Sequence, residues 1–314
     1  MIFECGMMLQ LRNKIMDSEW LKRKQRIEKR YKDWHSYDIG FNGKKFCITK
    51  PKNKNIGVPF NFFEMVTCCV QDLLKKPLAK STVLDLGCME GIASFALAKK
   101  GVKKIVGIDG RKANITKAKF AKETLGFDNV TFKMADVRKL KFKAKSFDVV
   151  LALGILYHLD TPELFYFIEN LFKWTKEITI IDTHFAYFPK TEYKFKGKAY
   201  PGFYFNEFVV NELNDGSIGN NRSFWLTRTS LFNMLIQVGY TGIYECKYPR
   251  GGKWRELDDR FTIIATKEKR LRSSIFRPKD VGQSSEFEEK DPRTIAVEMT
   301  NFSIIKSKDG FSKS

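Results

Sequence analysis

The sequence predicts an α/β protein whose mostly parallel sheet is covered by helices on both faces. Short apolar, β-branched runs recur at residues 82–86, 104–108, 130–134, 148–153 and 178–182. Several of them are separated by stretches with helical periodicity, at 92–100, 112–125 and 162–174. The runs are continuously apolar instead of alternating, as expected of strands buried on both sides.

Taken in order, residues 17–33 place Trp20, Leu21, Ile27 and Tyr31 among charges at near-helical intervals, which reads as a surface helix. Residues 36–60 read as a connection containing Gly, Asn and Pro, and 60–74 as a buried helix closed by Lys75, Lys76 and Pro77. After the fifth strand the rhythm breaks: nine Phe and Tyr residues between Phe185 and Phe205 crowd among prolines and glycines, suggesting an insertion over the edge or mouth of the sheet. A helix at 229–238 follows, then two strands at 243–248 and 260–265 that fit an antiparallel pair. The expected organisation is an N-terminal helical cover (1–59), a main domain (60–268) with an aromatic insertion at 184–225, and a polar tail (269–314) of disordered composition.

The 314 residues are 43% hydrophobic, 14% aromatic and 29% charged, which excludes collagen, low-complexity disorder and a disulfide-stapled miniature fold. Fifty-six Lys and Arg against 36 Asp and Glu give a net charge of +20. Residues 1–160 hold 32 of the basic side chains against 16 acidic ones, so the excess sits in the first half. That field suits nucleic acid, an anionic membrane surface or phosphorylated substrates, or it reflects a Lys-rich composition with solvated side chains. The six cysteines form no C-x-x-C pair and no Cys/His cluster of zinc spacing, so a reducing compartment and no metal are expected. The longest apolar stretch, 149–156, is far short of the roughly 20 residues of a membrane helix. The N-terminus lacks a secretory pattern, and a cytoplasmic location is expected.

Chemistry concentrates at strand ends. In VLDLGCMEG (83–91) a strand closes on Asp85, a turn uses Gly87 and Gly91, and a helix begins at once. The G-x-G-x-x-G fingerprint of nicotinamide dinucleotide sites is absent, which disfavours an oxidoreductase. Asp109 ends the second strand, Asp136 follows the third, and the fourth runs out through Leu153 and Gly154 into Tyr157 and His158. Ligands of open α/β sheets lie along such carboxyl ends.

These motifs, in order and spacing over about residues 80–184, resemble the class I S-adenosylmethionine-dependent methyltransferases. GILYHLDTP (154–162), EITIIDTH (177–184) and 223–245 are similar to the branch that includes the tRNA wobble-uridine carboxymethyltransferases. The resemblance implies a Rossmann-like seven-stranded sheet of order 3-2-1-4-5-7-6 ending in an antiparallel hairpin, with S-adenosyl-L-methionine as cofactor. It assigns Asp85, Gly87, Cys88 and Gly91 to the methionine side, and Asp109, Gly110 and Arg111 to the ribose. Asp136 and Val137 would frame the adenine, and Leu153 and Gly154 would supply backbone beneath the sulfonium. Met89 stands where the family commonly has the loop's middle glycine.

Methyl transfer from a sulfonium needs mainly in-line alignment of the nucleophile. His158 is the candidate general base for a hydroxyl acceptor, with Tyr157 orienting the methyl group or closing the pocket. The alternative for His158 is a cap on the helix that begins near Thr161, or a partner to a buried carbonyl. Asp182 and His184 form a second acid–base candidate. The acceptor is expected to be a small molecule lying under the aromatic insertion, with an RNA base as the alternative. A cofactor-binding regulatory protein without turnover is the rival from another class.

Overall fold

The computed structural model describes residues 19–41, 45–49, 60–207, 216–246 and 259–267. The described residues open with a helix over residues 19–31 (α1), then β1 (Asp38–Phe41), β2 (Phe46–Thr49), α2 (Phe60–Leu73), β3 (Thr82–Leu86) and α3 (Ile92–Lys99). It continues with β4 (Lys104–Asp109), α4 (Lys112–Leu125), β5 (Val130–Met134), β6 (Phe147–Leu153), α5 (Glu163–Trp174) and β7 (Thr175–His184). Then come β8 (Thr191–Phe195), β9 (Lys198–Asn206), β10 (Arg222–Leu226), α6 (Arg228–Val238), β11 (Gly242–Cys246) and β12 (Arg260–Thr266).

Seven strands form one sheet in the order β5-β4-β3-β6-β7-β12-β11. Counting only the strands of this sheet, that is 3-2-1-4-5-7-6, the expected order. The pairs β3–β4, β4–β5, β3–β6 and β6–β7 are parallel, whereas β12 runs antiparallel to both β7 and β11. The central strands bury both faces: Val83, Leu84, Val149, Val150, Leu151 and Ala152 are fully enclosed. One face packs on α2, α3 and α4, the other on α5 and α6. Helix ends follow local chemistry: Thr227 accepts the Ser230 N–H to start α6, and Gly126 and Gly239 take left-handed conformations to end α4 and α6.

The segment expected as an N-terminal cover contributes directly to the core. Trp34, Tyr37 and Ile39 are buried against the α3–α4 side, Trp20 donates its indole N–H to Thr124 at 3.1 Å, and Lys24 pairs with Asp38 at 2.6 Å. Residues 38–41 and 46–49, read from sequence as part of an irregular connection, instead form the antiparallel β1–β2 pair. Four-residue strands are too short for a period-two pattern to register. The remainder of the 36–60 connection and the polar tail lie largely outside the described residues.

The aromatic insertion is a three-stranded antiparallel sheet, β10-β9-β8. Strand alternation divides its rings. Phe195, Tyr200 and Phe224 turn into the α5–α6 core, where Phe165 stacks on Phe195 at 4.8 Å. Phe203, Phe205 and Trp225 occupy the opposite face, half-exposed, with Phe205 stacked on Trp225 at 4.7 Å.

Candidate active site

The loop after β3 owes its shape to backbone freedom. Gly87 (φ +69°), Met89 (φ +48°) and Gly91 (φ +89°) are all left-handed, so Met89 takes a backbone conformation that ordinarily favours glycine. A Cβ on Gly91 would lie 2.5 Å from the Phe132 ring, so a side chain here would have to displace that ring. Cys88 donates its N–H to the Ile108 carbonyl at 2.9 Å, and its buried sulfur faces Gly107 of β4. Its backbone lines the loop while its side chain belongs to the core.

Three donors converge on Asp109: the Met89 N–H at 3.0 Å, the Arg111 N–H at 2.8 Å and the Asn114 amide at 3.1 Å. Asp85 accepts the Ser94 hydroxyl at 2.7 Å. Burial pushes the Asp85 carboxyl up to about 6, opposed by Ser94 and reinforced by the neighbouring Asp109. Burial also raises Asp109, against the pull of its donors.

At the end of β5, Ala135 donates its N–H to the Asp109 carbonyl at 3.1 Å, joining the two strand ends. Asp136 caps the short turn that follows and is gripped by the fork of Arg138, whose Nη2 lies 2.7 Å away; this guanidinium holds the carboxyl below its usual range. Val137 is core. Residues 216–220 cross this rim. Arg111 donates to the Gly216 carbonyl and Arg138 to the Ile218 carbonyl. Ile218 sits so close that a Cβ on Gly110 would approach its Cδ1 to 2.6 Å.

At the end of β6, Leu153 pairs with Asp182, and Gly154 (φ +82°) donates its N–H to the Asp182 carbonyl at 2.8 Å. Ile155 closes on Gly87, where an added Cβ would sit 3.0 Å from its own. The turns after β3, β4, β5 and β6 therefore meet on one rim. Tyr157 packs edge-on to His184 at 4.6 Å, with the Arg260 guanidinium over its ring at 5.5 Å, and burial pushes its phenol up. His158 does not cap the following helix. Its Nδ1 lies 3.1 and 3.3 Å from the two carboxylate oxygens of Glu207.

Asp182 and His184 take different hydrogen-bonding partners. Asp182 is held by Arg260 and by the Thr262 hydroxyl, while His184 Nδ1 lies 3.0 Å from Asp259. His184 stacks on Trp225 at 5.0 Å, and burial followed by the charge of Arg260 pushes its imidazole down. Tyr157, His184, Trp225 and Leu226 line a shallow cavity beside this network.

Sequence reasoning missed Glu207, Arg260, Asp259, the 216–220 segment and Glu90. Glu90 accepts the His35 and Ser36 N–H groups and pairs with Lys117 at 2.9 Å, with both side chains buried. It stood in the glycine loop and was readable as a residue, but its partners were not. Among the described residues, no cluster of three or more potential ligands is suited to a metal.

The donor set fits the expected cofactor. Asp109 retains a lone-pair direction beyond its three bonds, and the left-handed loop brings backbone close to the strand ends. Asp136 is already committed to Arg138, so its side chain frames that end of the rim as half of an ion pair.

Residues 78–212 match the family model described as "Methyltransferase domain". Over 92 residues the chain is 39% identical to the ubiquinone biosynthesis O-methyltransferase of Pelagibacter ubique (29% of this chain, 36% of that protein). Over 87 residues it is 33% identical to the tRNA U34 carboxymethyltransferase of Shewanella pealeana (27% and 26%). The chain thus spans about a third or less of the length of these curated relatives. In three dimensions it superposes on the N-terminal domain of EvdMO1, crystallised with SAH, at a TM-score of 0.59 and 21% identity over 78% of this chain and 94% of that one, a likeness of fold.

Proposed function

We propose that the chain carries a class I S-adenosylmethionine-dependent methyltransferase domain and moves a methyl group to an oxygen or nitrogen nucleophile of a small-molecule acceptor, a reading supported by the match to a methyltransferase family model and by the relatives it resembles. The observation that carries the reading is the meeting of four strand-end turns on one rim: Met89 on Asp109, Ala135 on Asp109, and Ile155 on Gly87. When bound, S-adenosylmethionine supplies an electrophilic methyl group on a sulfonium. Asp109 would hold the ribose hydroxyls, the backbone at Gly87–Gly91 and Gly154 would face the methionyl part, and Ile218 would cover the rim near Gly110. His158 would accept the proton of a hydroxyl acceptor, and Tyr157 would wall the reacting centre. The half-exposed Phe203, Phe205 and Trp225 offer an apolar ring surface to an acceptor with a flat or ring-shaped face.

A second reading, transfer to an RNA base, draws on the basic first half of the chain and on the relative named for tRNA. A cytoplasmic enzyme suits either. Among the described residues, no helix is long and apolar enough to cross a membrane. Calorimetry with S-adenosylmethionine and S-adenosylhomocysteine tests the shared premise: heats that fit micromolar affinity are expected, and none from either compound sinks both readings. Labelled-methyl transfer into a metabolite extract and into total RNA then separates them, label in RNA alone overturning the small-molecule acceptor.

A further inference from the structure

Glu207 follows β9, 49 positions beyond His158, and its side chain is wholly buried. Three groups surround the carboxylate: the Ser217 N–H at 3.0 Å, the Ser223 hydroxyl at 2.8 Å and His158 Nδ1 at 3.1 Å. An ionised carboxylate only accepts hydrogen bonds, so each of these groups must donate, and His158 must carry its proton on Nδ1. Burial pushes the Glu207 carboxyl up, but the donors, His158 foremost, outweigh it and hold the group below the usual range. Among the described residues no hydrogen bond reaches Nε2.

The same carboxylate ties in the segment over the rim. Ser217 gives its N–H to Glu207 and its hydroxyl to the His158 carbonyl at 2.7 Å, and Asn220 donates to that carbonyl at 3.2 Å. Next along the chain, Ile218 covers Gly110 and is held by Arg138. One buried acid therefore joins the histidine to the segment that crosses the ends of β4 and β5.

We propose that Glu207 is a positioning residue: by accepting from Nδ1–H it fixes the His158 tautomer, leaves Nε2 as the basic nitrogen for a hydroxyl-bearing acceptor, and anchors residues 216–220 to the same assembly. The step balances simply. The acceptor oxygen forms a bond to the methyl carbon as the sulfur–carbon bond breaks, the electron pair leaves on sulfur, and the hydroxyl proton passes to Nε2. This rests on the methyltransferase reading, but its structural half does not depend on it.

Glu207→Gln tests the tautomer. The Ser217 N–H can only donate, so the oxygen of the introduced amide must face it. The amide NH2 then faces His158 and donates to Nδ1, which drives the proton to Nε2. The chain has three histidines, His35, His158 and His184, so long-range 1H–15N spectra of histidine-labelled full chain can be assigned with His35→Gln and His184→Gln. At a pH where the rings are neutral, the wild type is expected to show Nδ1–H at His158 and Glu207→Gln to show Nε2–H. Calorimetry with S-adenosylhomocysteine on the same samples is expected to give equal affinities. Turnover of whatever acceptor the label screen identifies is expected to fall about 100- to 10,000-fold in kcat with little change in KM. An Nε2–H ring in the wild type overturns the proposal, and this holds even if the variant fails to fold. A variant that keeps Nδ1–H, or that switches tautomer without losing turnover, overturns it as well. Absence of S-adenosylhomocysteine binding to the wild type would instead remove the methyltransferase reading.

Discussion

The carboxylates on the β3–β5 rim and those under the β8–β10 cap are equally buried but held in opposite ways. Asp85 and Asp109 face hydroxyl and amide donors with no buried cation at contact, and burial raises both. Glu207 and Asp182 lie under the cap, met by His158, Ser217 and Ser223 in one case and by Arg260 and Thr262 in the other. The rim thus keeps acceptor capacity in reserve, which suits a site that waits for the hydroxyls and ammonium of a ligand. The cap is already saturated and acts as a rigid support for His158 and Tyr157. A preorganised donor array costs nothing further when charge develops in a reaction.

The largest expected effect tests whether the rim depends on the N-terminal segment. Glu90→Ala leaves the buried Lys117 ammonium with the Asp33 carbonyl but no counter-charge and removes the acceptor for two backbone N–H groups, so denaturant unfolding should show a loss of about 3–5 kcal/mol. A loss under about 1 kcal/mol, the range of an exposed pair, would mean that residues 33–37 do not anchor the loop.

Asp109→Ala should weaken S-adenosylhomocysteine binding by about 100-fold or more, from charge-assisted hydrogen bonds of about 1.5–3 kcal/mol each. Unchanged calorimetric affinity would show that the ligand sits elsewhere.

Asp85 sharpens the contrast through pH. Its folded-state value of about 6 lies above the unfolded carboxyl near 3.9, so the folded chain binds the proton more tightly and stability falls as pH rises between the two. Asp85→Asn should remove a cost approaching about 3 kcal/mol above pH 6 and change little at pH 4. Urea unfolding at both pH values reads this directly, and equal effects at the two would refute a raised carboxyl.

The smallest effect belongs to the cap. Gly202 lies where a Cβ would come within 2.3 Å of the Trp225 carbonyl. Gly202→Ala should cost about 1–3 kcal/mol by forcing β9 and β10 apart while leaving S-adenosylhomocysteine affinity intact. If affinity falls with it, rim and cap are one unit, and the comparison fails.

The rim was legible because its information is local. Asp85, Gly87, Gly91 and Asp109 lie within 25 residues, each at the end of a strand that announces itself by an apolar run or in the turn just after it. The helix at 112–125 and the strand at 130–134 stand where the periodicity put them. The β1–β2 pair was hidden by its brevity. In the insertion, the aromatic residues gave density without direction, because both faces of β9 carry rings and only pairing with β10 tells Tyr200 from Phe203.

By itself, the sequence determined the seven-stranded α/β frame and the turns that line its carboxyl edge, since apolar periodicity, glycine placement and strand-ending acids act over a few residues. Tertiary structure decided what each charged group does there: that Asp182 belongs to Arg260, that Glu90 secures the N-terminal segment, and that His158 answers to Glu207. Such pairings join positions up to tens of residues apart, and their energies depend on burial and on which donors face which acceptors, which no local pattern encodes.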